Sequence, residues 1–185
     1  MQLPTVFISY THDSEKHQEA VLRFAELLAE YRIYSVNDLW ADPDRRYWGE
    51  WAEKCIDESD YTLVIASPGY RRVGNGEATD DENRGGVWEV AHLRERLQQA
   101  RSVWTRRILP VMLPGRTVSE IPTFLQPYGC THYPVPTLDA NGIQTLYRDL
   151  TRQPEYTRPE LGEPMILPPK SGPGSPGWES RRRRA

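Results

Sequence analysis

Four short apolar runs punctuate the chain, and longer amphipathic stretches separate most of them. The runs fall at residues 5–9 (TVFIS), 33–36, 61–66 (YTLVIA) and 108–113, and residues 130–133 are expected as a short last strand. Continuous β-branched and aliphatic runs of this length predict strands buried on both faces. Over residues 14–32, Val21, Phe24, Ala25, Leu28 and Tyr31 recur at three and four, which predicts a helix. Asp13 or Thr11 precedes it as a capping side chain, with Glu15 placed to suit the helix dipole. Trp48, Trp51, Ala52 and Cys55 mark a helix over 47–58, with the two tryptophans expected in the core. Val90, Leu93, Leu97 and Ala100 mark another over 87–100, and residues 141–151 a last one. Residues 37–46 and the Gly-rich acidic stretch 74–86 are expected to be loops. Strands alternating with helices predict an α/β fold on a mainly parallel sheet.

Charge divides the chain into two parts. Residues 1–150 hold 16 Lys and Arg against 22 Asp and Glu, whereas residues 151–185 hold 7 against 4. That last stretch also carries 7 of the 16 prolines, lacks any hydrophobic period, and ends in Arg181, Arg182, Arg183 and Arg184. The expected organisation is one domain over residues 1–153 and a basic Pro/Gly-rich tail, disordered, over 154–185. The acidic body offers no field to attract nucleic acid. No apolar run approaches the ~20 residues that span a bilayer, and residues 1–10 lack the basic region of a secretory leader. Two cysteines make no disulfide framework, so a cytoplasmic setting is expected.

In open parallel sheets, ligands sit beyond the carboxyl ends of the strands. Three predicted loops reach that edge: 9–13, 37–46 and 67–86. They present Ser9, Tyr10, Thr11, His12, Asp13, Trp40, Asp42, Arg45, Arg46, Ser67 and Tyr70. There is no GxxxxGK[ST], and no GxGxxG after the first strand, so phosphate-cradle functions are excluded. No GxSxG elbow is present, and the third strand ends Ala66-Ser67-Pro68 rather than in the aspartate of a phosphoacceptor domain. The four histidines do not fall at metal-ligand spacing, so neither a metal nor a resident cofactor is expected.

Four ordered blocks carry a family resemblance: VFISYTHDSEKH at 6–17, DYTLVIASPGY at 60–70, GGVWE at 85–89 and ILPVMLPGR at 108–116. Together with LGEPMILPP at 161–169, they resemble bacterial members of the SEFIR family, relatives of Toll/interleukin-receptor (TIR) domains. The resemblance implies a flavodoxin-like three-layer sandwich, with a five-stranded mainly parallel sheet and helices on both faces. It implies signalling through homotypic SEFIR or TIR-like contacts, with homo-oligomers forming on activation. For TIR relatives and some bacterial members it also implies cleavage of NAD⁺ in antiviral cell suicide.

In TIR enzymes the catalytic glutamate lies on the helix after the third strand, in a WxxxE pattern. Here the Trp–Glu pair on that helix is adjacent, Trp88-Glu89. Glu89 flanks the apolar stripe of its helix and is expected in the first turn, where the dipole favours an ionised carboxylate. Such a group can stabilise the oxocarbenium character that develops as the nicotinamide–ribose bond breaks. Ser9, Tyr10 and Trp88 are expected to line the nucleotide cleft. Trp40, Arg45 and Arg46 offer stacking and diphosphate pairing. Asp13 is expected to cap its helix. Two readings follow: an NAD⁺ glycohydrolase active on assembly, or a non-enzymatic adaptor that binds similar domains.

Overall fold

The structure, a computed structural model, describes residues 3–41, 47–79 and 84–170. The chain divides into two units, Met1–Glu155 and Tyr156–Ala185. In the first, β1 (Thr5–Ser9), β2 (Tyr34–Val36), β3 (Tyr61–Ile65), β4 (Ile108–Met112) and β5 (Tyr133–Pro134) form one sheet in the order β2-β1-β3-β4-β5. All four pairings are parallel. The helices are α1 (Glu15–Glu30), α2 (Trp48–Glu58), α3 (Pro68–Asn75), α4 (Arg84–Gln99), α5 (Arg101–Arg107) and α6 (Gln144–Thr151). In the second unit, residues 156–170 carry no helix or strand, and Leu161, Met165, Ile166 and Leu167 are exposed.

Strand residues alternate between two cores, as the period of two demands. Val6, Ile8, Leu63, Ile65, Leu109 and Val111 join Phe24 and Leu28 of α1 and Leu146 and Leu150 of α6 on one face. Phe7, Val64, Ile108 and Met112 join Ile56 of α2, Val73 of α3, Leu93 of α4 and Trp104 of α5 on the other. Both faces are therefore covered, as unbroken apolar strands require.

Several element boundaries differ from expectation, each for a local reason. Ser14, not Asp13 or Thr11, caps α1, its side chain accepting the His17 N–H at 3.2 Å. Asp13 instead accepts the Gly69 N–H at the start of α3, at 2.7 Å. Helix α3 occupies ground that reads as a strand end and loop. Its signal is Ser67 as N-cap followed by Pro68 at the first helical position, and Gly76 closes it at φ 75°. A Cβ at Gly69 would overlap the Asp13 carboxylate, so glycine permits that contact. Helix α4 begins at Arg84, three residues before the expected start at 87, which puts Glu89 in the second turn rather than the first. Helix α5, which was not expected, packs Trp104 under Arg107 at 4.1 Å. The last strand lies at Tyr133–Pro134 rather than over 130–133. Trp51 packs edge-on against Phe7 at 5.8 Å, whereas Trp48 is half exposed.

Candidate functional site

The sheet order creates one crevice by topology. The loop after β1 leads into α1 on one face, and the loop after β3 leads into α3 and α4 on the other. Adjacent strands whose crossovers leave on opposite sides part at their carboxyl ends, where open α/β sheets place ligands. Ser9 ends β1 and is fully buried. Its hydroxyl donates to Glu89 Oε2 and lies 2.7 Å from the Tyr70 hydroxyl. Three elements thus meet at one oxygen: β1, the first turn of α3 and the second turn of α4.

The crevice floor is held by polar side chains. Thr11 Oγ1 lies 2.9 Å from Ser67 Oγ and donates to Asp13 Oδ1 at 2.5 Å. Ser67 in turn accepts the Tyr70 N–H at 3.0 Å, which fixes the start of α3. Across β1, Asn37 caps the short 3-10 turn Asp38–Trp40 by accepting the Trp40 N–H at 3.0 Å. Asp38 then meets His12 Nε2 at 2.7 Å.

Burial decides the ionisation of Glu89. Desolvation pushes its carboxyl up to about 8, with Asp38 adding to the rise, and the Ser9 hydrogen bond and His12 opposing it. The helix dipole is a small influence at the second turn. The hydrogen bond to Asp38 raises His12 above the usual histidine range, although burial opposes it. Burial also disfavours the charge of Asp38, but the hydrogen bond from His12 and the nearby Tyr10 hydroxyl hold it below the usual carboxylate range. Tyr70 is pushed up by burial and by Glu89. The crevice therefore sets a glutamic acid that resists ionisation beside a His12–Asp38 pair in which each partner favours the other's charged form.

The structure brings Ser9 and Glu89 into contact. Tyr10 turns to the α1 side instead, where its ring lies 5.1 Å from His12 and 6.2 Å from His17. Burial, and Asp38 beside it, hold its hydroxyl in the neutral form by raising its pKa. Trp88 is half exposed and meets Tyr47 edge-on at 6.3 Å, beside Gly49 of α2. Trp40 is also half exposed, at the end of the turn that carries Asp38. Arg45, Arg46, the acidic residues 80–82 and the terminal arginines lie outside the described residues. Asp38 and the Tyr70 contact escape sequence reasoning. Asn37 followed by a short turn was the available signal for the first, and Ser67-Pro68 for the second.

Two other cavities lie away from these residues. One of about 430 Å³ is lined by Leu97, Arg101, Ile108, Leu125 and Tyr133. The other, of about 1100 Å³, is lined by Pro4, Glu58, Arg107 and Leu150. Neither includes Glu89, Ser9 or Tyr70. Among the described residues, no group of three or more His, Cys, Asp and Glu is placed to hold a metal ion.

A parallel sheet in the order 2-1-3-4-5 with helices on both faces is a flavodoxin-like α/β fold. The SEFIR domain family matches residues 4–146, and the chain belongs to that family of signalling domains, which act through contacts between like domains. The fold is similar to that in a crystal structure of a prokaryotic SEFIR domain. The two share 23% identity and a TM-score of 0.60, over 86% of this chain and 99% of that one. No curated protein matches. Among the described residues, no helix is long and apolar enough to cross a membrane.

Proposed function

We propose that this SEFIR domain cleaves NAD⁺ to nicotinamide and ADP-ribose, that it does so when copies associate, and that Glu89 is the catalytic residue. The observation that carries the proposal is the part-buried Glu89 carboxyl, held by Ser9 at the crevice between β1 and β3. A glutamate whose charge is penalised by desolvation at a switch point is costly to the fold and useful to chemistry.

The reaction needs positive charge to be met where it develops. As the bond from ribose C1′ to the pyridinium nitrogen breaks, its electron pair passes to nicotinamide, and C1′ becomes oxocarbenium-like. A carboxylate facing that carbon stabilises it. The cationic pyridinium ring, on entering, favours the ionised form of a carboxyl poised near 8. Water then adds to C1′, and Glu89 takes its proton. Trp88 and Trp40 offer aromatic faces at the rim, and Arg45 and Arg46 suit the diphosphate.

The test is release of free nicotinamide from NAD⁺ by concentrated protein with a crowding agent. Turnover by the wild type, lost by a hundredfold or more in Glu89→Gln, supports the proposal. Absence of turnover under several assembly conditions, or full activity in Glu89→Gln, overturns it.

A second reading is a non-enzymatic adaptor. The observation that favours it is the group of exposed side chains where α2 and α4 begin, Tyr47, Trp48, Val87 and Trp88. Alanine at Trp48 and Trp88 would then abolish association with a like domain, and the wild type would release no nicotinamide.

A further inference from the structure

Tyr70 is the largest of the fully buried side chains, and the reaction outlined above leaves its hydroxyl without a task. That hydroxyl touches one polar group among the described residues, the Ser9 hydroxyl, at 2.7 Å. Ser9 has a single proton, and it is directed at Glu89 Oε2. A hydroxyl that spends its only proton on one neighbour can face a second only as an acceptor. When Glu89 is ionised, the Tyr70 hydroxyl therefore donates, and the chain runs from Tyr70 to Ser9 to Glu89.

The reverse direction is unfavourable for a definite reason. If Ser9 donated to Tyr70, the Tyr70 proton would be left without an acceptor at a position with no access to water. Glu89 Oε2 would lose its donor as well. Burial of Tyr70 thus constrains a proton two hydrogen bonds away. The constraint is stiff, because Ser67 caps the first turn of α3 and the Asp13 carboxylate holds the Gly69 N–H next to it.

We propose that Tyr70 is a positioning residue, which acts through Ser9 to keep a hydrogen-bond donor aimed at Glu89 Oε2 and so favours the carboxylate form that the reaction uses. The inference rests on the NAD⁺-cleavage reading for its purpose but not for its physics. Tyr70 touches no substrate in this arrangement. Its effect passes entirely through one oxygen, so it disappears when that oxygen is removed.

This last property supplies the test. The Glu89 side-chain carboxyl is followed by ¹³C NMR against pH in the full chain, for the wild type, Tyr70→Phe, Ser9→Ala and the double variant. Tyr70→Phe keeps the ring that fills the core and removes only the hydroxyl. The expected result is a Glu89 midpoint raised in Ser9→Ala, which removes the donor, and raised by less, about half a pH unit, in Tyr70→Phe, which leaves the Ser9 hydroxyl unanchored. Adding Tyr70→Phe to Ser9→Ala then changes nothing further. A midpoint unmoved by Tyr70→Phe overturns the proposal, and so does an equal rise in the Ser9→Ala background, which marks a packing effect. Thermal unfolding of each variant checks that it is folded. The titration needs no turnover, so failure of NAD⁺ cleavage and failure of the Tyr70 relay are read separately. If nicotinamide is released, the acid limb of the kcat/KM profile moves upward with the midpoint.

Discussion

Two carboxyl groups meet helix α4, and they are treated in opposite ways. Asp57, on α2, faces His92 and Arg96 one turn apart on α4. Arg96 donates through Nε at 2.8 Å and through its terminal nitrogen at 2.5 Å, and His92 Nε2 lies 3.1 Å away. Some burial disfavours its charge, yet these partners hold Asp57 below the usual carboxylate range. Glu89, on α4 itself, has hydroxyls beside it in place of a guanidinium, and is pushed up to about 8. The first arrangement ties two helices together. The second leaves a carboxyl that no cation among the described residues touches, with His12 acting on it only at a distance. A fold that gives the one a cation in direct contact and the other only a hydroxyl distinguishes a fastening from a reactive group.

The comparison can be broken at either end. The largest expected effect is on turnover: Glu89→Gln loses a hundredfold or more, whereas Asp57→Asn loses less than tenfold, measured by nicotinamide release from assembled protein. Equal losses would remove the distinction. The next effect is on stability against pH. Glu89 has a folded value above its unfolded one, so the folded state binds the extra proton, and stability declines as pH rises from about 4.5 towards 8. Glu89→Gln, uncharged throughout, should gain several degrees in Tm over the wild type at about pH 9 and little at about pH 4. Asp57 runs the other way. Its folded value is depressed, so its contribution is present above the usual aspartate range and is lost as pH falls through the folded value. Arg96→Met should cost about 1 kcal/mol near neutrality, since the pair is partly exposed, and should cost less in acid, by denaturant unfolding. The smallest effect is at the crevice floor. Gly69→Ala crowds the Asp13 carboxylate and should lower Tm by a few degrees without changing the Glu89 titration by more than about half a unit.

The sheet was legible in the sequence because strands buried on both faces announce themselves as unbroken apolar runs. TVFIS and YTLVIA became β1 and β3 almost residue for residue. Ser9 and Glu89 were legible as candidates because the order of the elements brings the end of β1 and the start of α4 to one edge. Helices α3 and α5 were not. Eight and seven residues are too few for a periodic stripe to show, and their signals are local: a serine before a proline for α3, and for α5 a tryptophan under an arginine. Tyr70 and Asp38 were hidden for another reason. Each matters through one partner distant in sequence, Ser9 for the first and His12 for the second, and no pattern along the chain encodes that proximity. Glu89 was expected to owe its ionisation to the helix dipole. Once α4 starts at Arg84, burial becomes the dominant influence, and the direction reverses.

The most direct measurement is the pH profile of kcat/KM for nicotinamide release by the assembled protein, wild type beside Glu89→Gln. The account predicts a wild-type rate that rises with pH and levels off above about 8, and a variant with neither the rate nor the limb. A profile flat from about pH 6 to 9, or one that survives in Glu89→Gln, would contradict it.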